Sequence, residues 1–141
     1  MNIVESLANY LDDAGVATFG QDMFISRAPA SNSYEAASGT TIPQNIWWLN
    51  AAGGTPNGVF DIFNVDIHYR DRDAQAVYDK LQDLQYRLTK QGLVQLEDFD
   101  VTQIQAAAPI TDQDIDNEDR TVGLLQITIT TYKENQNYAI S

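Results

Sequence analysis

Between Val59 and Arg70 the chain alternates as a β-strand does, with successive side chains sent to opposite faces. One face carries Val59, Phe63, Val65, Ile67 and Tyr69, interrupted only by Asp61. The other carries Phe60, Ile62, Asn64, Asp66, His68 and Arg70, apolar at its start and polar afterwards. Thr121 to Tyr132 repeats the asymmetry, with Leu125, Ile127 and Ile129 on one side and Gln126, Thr128 and Thr130 on the other. A sheet made of such strands has one apolar face, and something must cover it.

Two amphipathic helices are available for that. Ile3, Val4, Leu7, Ala8 and Leu11 recur at helical spacing, Asn2 with Glu5 can cap the first turn, and Gly15 follows the end. Ala74, Val77, Tyr78, Leu81, Leu84 and Leu88 form the stripe of the second helix. Asp71 or Asp73 starts it, and Arg87, Lys90 and Gly92 suit its last turn and stop.

Asp22 to Arg27, Ile46 to Asn50, Leu93 to Leu96 and Val101 to Ala107 read as shorter strands, and Ala51 to Gly58 (AAGGTPNG) as a turn. Ala28 to Asn45 is poor in large aliphatics and reads as a long loop or arm, a length usually reserved for function or disorder. Thr111 to Asp119 (TDQDIDNED) places five acids in the eight positions from Asp112, so mutual repulsion predicts an open loop. The polar tail from about residue 134 is expected to fray. The sum is one α+β domain over 1–141, a two-layer sandwich of a mostly antiparallel sheet with two helices on one face.

Composition narrows the function. Against 20 Asp and Glu stand 8 Lys and Arg, a formal net charge of -12, which disfavours nucleic-acid binding and anionic membrane surfaces. With no cysteine there is no disulfide framework, thiolate metal site or cysteine nucleophile. The N-terminus lacks the pattern of an export signal and no stretch is long and apolar enough for a membrane span, so a soluble, unprocessed chain is expected.

Catalytic signals are sparse. His68 is the only histidine, so any histidine-dependent acid–base chemistry would run through it, and its neighbours Asp66 and Arg70 fit a solvated or interface residue as well. No GxSxG, GxxxxGK or HExxH pattern occurs. Asp112, Asp114 and Asp116 occupy the first three ligand positions of a calcium loop, but Asn117 stands where glycine is needed and Gly123 where a bidentate glutamate is needed. They are weak metal candidates, and no cofactor is implied. Trp47 and Trp48 are adjacent on a strand, so one enters the core and the other points away, to be covered either by the Ala28 to Asn45 arm or by another protein, where Trp is enriched.

The opening NIVESLANYLDDAGVATFGQDMFISRAP, the strand VDIHYRDRD running into the helix AQAVYDKLQDL, and the closing strand LLQITITTYKE resemble the tail terminator or minor capsid proteins of tailed bacteriophages. The Ala28 to Asn45 segment is longer than that family's pattern. The resemblance implies a non-enzymatic α+β virion subunit that forms a ring, hexameric in the family, capping the tail tube at the neck. Its partners would be other copies of itself, the tail tube protein and the head connector or neck proteins. It would be assembled in the host cytoplasm, with DNA passing through and no membrane involved. Ring contacts are then expected on sheet edges and on the arm, with Trp47, Trp48 and Tyr34 as interface candidates. The acidic residues Asp112, Asp114, Asp116, Glu118 and Asp119, or the corner Glu97 to Asp100, are candidates to line the channel. The alternative is a small ligand- or protein-binding adaptor domain of a bacterial cell, with an enzyme third.

Overall fold

The computed structural model describes residues 2–25, 45–90, 96–97, 99–115 and 120–132. Helix α1 (Ile3–Asp13) begins with reciprocal capping. Asn2 Oδ1 accepts from the Glu5 backbone N–H at 2.8 Å, and Asn2 Nδ2 donates to Glu5 Oε1 at 2.8 Å. At its other end the Gly15 N–H donates to the Asp12 carbonyl and the Val16 N–H to the Leu11 carbonyl, each at 3.0 Å. That pair of bonds satisfies carbonyls the helix would otherwise leave open.

Strand β1 (Met23–Ile25) runs parallel to β2 (Ile46–Asn57), which turns back antiparallel into β3 (Phe60–Asp71). Helix α2 (Ala74–Lys90) follows, started by Asp73, whose carboxylate accepts from the Gln75 N–H at 3.0 Å. Strands β4 (Asp100–Ala106), β5 (Ile110–Ile115) and β6 (Thr121–Tyr132) complete a six-stranded sheet of order β1-β2-β3-β6-β4, with β5 also on β6. Only β1–β2 is parallel among the paired strands described. The α+β class and the mostly antiparallel sheet agree with the sequence reading.

Leu7 and Leu11 of α1 and Val77, Leu81, Leu84 and Leu88 of α2 share one core with Leu49, Val65, Ile67, Tyr69, Leu125, Ile127 and Ile129 of the sheet. The sheet residues are the alternate positions read as the apolar face. Helix α2 lies so close to β6 that a Cβ added at Gly123 would run into Val77 and Leu81.

Several boundaries differ from expectation. The segment AAGGTPNG is not a turn: β2 continues through it with a bulge between Ala51 and Gly54, and the turn is only Gly58–Val59. Its first residue has φ +61°, the value a tight hairpin of this kind requires. Val59 therefore stands outside the strand. Of the expected open loop Thr111 to Asp119, residues 111–115 instead lie in β5, because β6 offers a backbone ladder on that side. On α2, Ala74 and Tyr78 are exposed rather than core, since Val77, Leu81, Leu84 and Leu88 complete the stripe without them. Most of the expected Leu93 to Leu96 strand lies outside the described residues, and Leu96 makes an isolated bridge to Phe99. The arm through residue 44 and the tail from residue 134 also lie outside them.

β4 and β5 run in the same direction along one edge of β6, as a single strand broken at residues 107–109. The ladder does not lapse entirely, for the Ala107 N–H donates to the Gln126 carbonyl at 3.0 Å. Gln85 of α2 ties the break down by donating its Nε2 to the Ala106 and Ala107 carbonyls at 3.4 and 3.2 Å. Further register shifts fall between Val101 and Gln103 and between Ile110 and Asp114. An edge interrupted this often is a poor template for adding another strand.

Candidate functional site

The sheet face opposite the helices carries a row of side chains that the register sets side by side. Phe24 of β1 pairs with Trp48 of β2, Trp48 with His68 of β3, His68 with Leu124 of β6, and Leu124 with Ile110 of β5. At its centre the Trp48 and His68 rings stack at 5.0 Å with 7° between their planes. Burial lowers the His68 pKa from its ordinary 6.5, with Asp66 pulling the other way. Beside this row the face becomes polar. A cleft of about 570 Å³ is lined by Asn64, Asp66, Gln105, Gln126 and Thr128, and Thr128 Oγ1 donates to Asn64 Oδ1 at 3.0 Å. Amides, a hydroxyl and one carboxylate offer hydrogen-bond donors and acceptors to a surface set against them.

Two further features lie apart from this row and cleft. The β2–β3 hairpin ends in Val59, which is 64% exposed, next to Phe60, whose ring stacks on Tyr132 at 5.0 Å. On the helix side, a groove of about 340 Å³ runs between Gly15–Val16 and α2, walled by Trp47, Lys80, Leu84 and Arg87. Lys80 Nζ sits 5.3 Å over the Tyr69 ring, and the Tyr69 hydroxyl donates to Asp71 Oδ2 at 2.9 Å. Burial first, and then that hydrogen bond, push the Tyr69 phenol well above its ordinary pKa.

The adjacent tryptophans divide as their alternation predicts. Trp47 is buried in the core against Tyr69, ring centroids 4.4 Å apart, while Trp48 is half-buried on the helix-free face. Tyr34, Asp116, Glu118 and Asp119 lie outside the described residues. Asp112 and Asp114 lie on β5, an extended strand paired to β6, rather than in a loop able to wrap a calcium ion. Among the described residues no group of three or more His, Asp or Glu side chains is placed to hold a metal.

The cross-sheet row, the exposed hairpin tip and the groove beside α2 were not anticipated from sequence. Gly58 is the available signal for the tip, because placing the turn there leaves Val59 at its end; the row has none, since the turn alone would set Trp48 opposite Tyr69 and only the bulge between Ala51 and Gly54 moves it to His68. The groove has no local signal, since it sets Gly15–Val16 and Trp47 against α2, far apart in the chain.

A family model described as "Bacteriophage tail terminator protein" matches residues 10–133. No curated protein matches the chain.

Proposed function

The chain belongs to the bacteriophage tail terminator family, and on that premise we propose that it closes into a hexameric ring at the phage neck, caps the tail tube, ends its growth and offers the surface to which the head joins. The observation that carries this is the family match over residues 10–133; a structural protein of the phage tail follows from it directly. The fold supports the finer reading. A two-layer domain with helices on one sheet face leaves the other face, with its Trp48–His68 row, free for neighbours. No enzymatic role is proposed.

In this reading the partners are further copies of the chain, the tail tube protein and the head connector or neck proteins. Assembly takes place in the host cytoplasm. The acidic run Asp112, Asp114, Asp116, Glu118 and Asp119 is proposed to face the opening through which DNA passes, where negative charge keeps the duplex from adhering. Of the two expected interface residues that are described, Trp48 is the one with a surface to offer, and Tyr34 is proposed as a further contact.

Electron micrographs of the purified protein, alone and mixed with growing tail tubes, test the proposal. Closed rings, and tubes whose growth stops with a ring at one end, are expected. A protein that remains a single subunit and leaves tube length unchanged would refute it.

A further inference from the structure

We propose that the tip of the β2–β3 hairpin of one copy seats in the groove between Gly15–Val16 and α2 of the next, so that subunits join head to tail; this rests on the ring reading above. The tip is an apolar knob. Val59 is 64% exposed, the Phe60–Tyr132 stack supports it from behind, and Tyr132 is itself 49% exposed. Isolated exposed apolar residues are ordinary, but a contiguous group at the end of a hairpin marks a contact surface.

Charge chooses the partner. For a chain of net charge -12, two copies meet at a cost wherever acids face acids. Asp100, exposed and paired with Tyr132 across the sheet, makes the tip's own surroundings acidic. Among the described side chains the exposed cations are Arg72, Lys80 and Arg87, all on α2 or just before it, and two of them wall the groove. Asp79 and Asp83 share that wall, which leaves it locally neutral on a molecule that is elsewhere strongly acidic. Val16, Trp47 and Leu84 give the groove its apolar lining, and about 340 Å³ accommodates the Val59 side chain with room for part of Phe60.

Knob and groove are different surfaces of the same chain, so the contact is heterologous. Such contacts repeat and generate a ring when the rotation between copies closes. A self-complementary patch would stop at two.

The absence of cysteine from the chain makes the test direct. A Val59→Cys, Arg87→Cys double variant, oxidised in the assembled state, is expected to give a ladder of covalently linked subunits on a denaturing gel, where each single variant stops at a dimer at most. Val59→Asp, which changes an exposed turn residue and should keep the parent's thermal unfolding, is expected to lower the mass in solution from that of the ring to that of one chain. A ring that persists in Val59→Asp, or a double variant that assembles without forming the ladder, overturns this contact and leaves the ring reading standing. A parent chain that never assembles overturns both.

Discussion

Trp48 and His68 stack face to face across the β2–β3 ladder, 5.0 Å apart and 7° from parallel, on the side of the sheet that the helices leave bare. The arrangement takes a histidine from a polar strand face and removes one side of its ring from water. Loss of hydration disfavours the charged imidazolium, which is why the His68 pKa falls although Asp66 is close by. The same two rings are what the sheet presents at the middle of its open face.

Folding should therefore become less favourable as pH falls through the histidine range. His68 takes up a proton near its ordinary pKa of 6.5 in the unfolded chain but only at lower pH in the folded one, so below 6.5 the unfolded state binds more protons. The penalty is absent above that pH, grows as pH drops from 6.5 towards the folded pKa, and then levels off. His68→Phe keeps the stack and cannot titrate. Urea unfolding of parent and variant between pH 8 and pH 5 should show the parent losing stability relative to the variant on acidification; parallel curves would mean that the stack does not desolvate the imidazole.

The two tryptophans should fail differently when truncated. Trp47 is 5% exposed in the core, and a large-to-small change there costs about 3–5 kcal/mol. Trp48 is half-buried on the open face, so Trp48→Ala should cost the isolated fold less. If that face meets a neighbour, the variant should instead weaken assembly by about 2 kcal/mol or more, the size typical of a buried aromatic anchor. Chemical denaturation and the concentration dependence of mass in solution separate the effects. A folded Trp48→Ala that assembles like the parent would remove Trp48 from the interface.

Gly123 sets how closely α2 can approach the sheet. Gly123→Ala must displace Val77 and Leu81, and overpacking of this kind costs about 1–3 kcal/mol. Val77→Ala opens a cavity of its own but also removes the Cγ1 that the new methyl would strike. The double variant should therefore be less destabilised than the two single losses added together, a coupling that a double-mutant cycle reads directly. Strict additivity would show that the helix moves as a whole to make room.

How much of this was legible beforehand depends on the range of the cause. The period of two in Val59 to Arg70 and Thr121 to Tyr132 marked the core face, and the opposite fates of Trp47 and Trp48 follow from the same period. The caps of α1 were equally local, since Asn2 and Glu5 reach each other within one turn. Register was not local. Reading all of Ala51 to Gly58 as a turn hides the bulge at Ala51–Gly54, and with it which residue stands opposite Trp48. The acids of β5 speak against order, while the partner that orders it, β6, comes later in the chain. Spacing alone puts Tyr78 in the core, yet Val77, Leu81, Leu84 and Leu88 fill the side of α2 that meets the sheet.

A duplex must travel through the opening of a neck ring without being held there, and this bears on where the acids lie. Duplex DNA carries about one negative charge per 1.7 Å, so a few inward lysines repeated around a ring would bind it tightly at low salt. At net charge -12 the chain is expected to avoid that trap, and no retarded duplex band should appear at about 0.15 M salt. Solubility alone would also favour a negative charge, but it would not care where the charge sits. Position therefore decides between the two causes. Asp112, Asp114, Asp116, Glu118 and Asp119 can be changed together to Asn and Gln, which nearly preserves shape while removing five charges from each subunit. If these residues line the opening, variant rings should admit a linear duplex at low salt more readily than parent rings, and the difference should fade as salt rises. If they lie on the outer rim, the lumen is unchanged and both rings should admit the duplex alike.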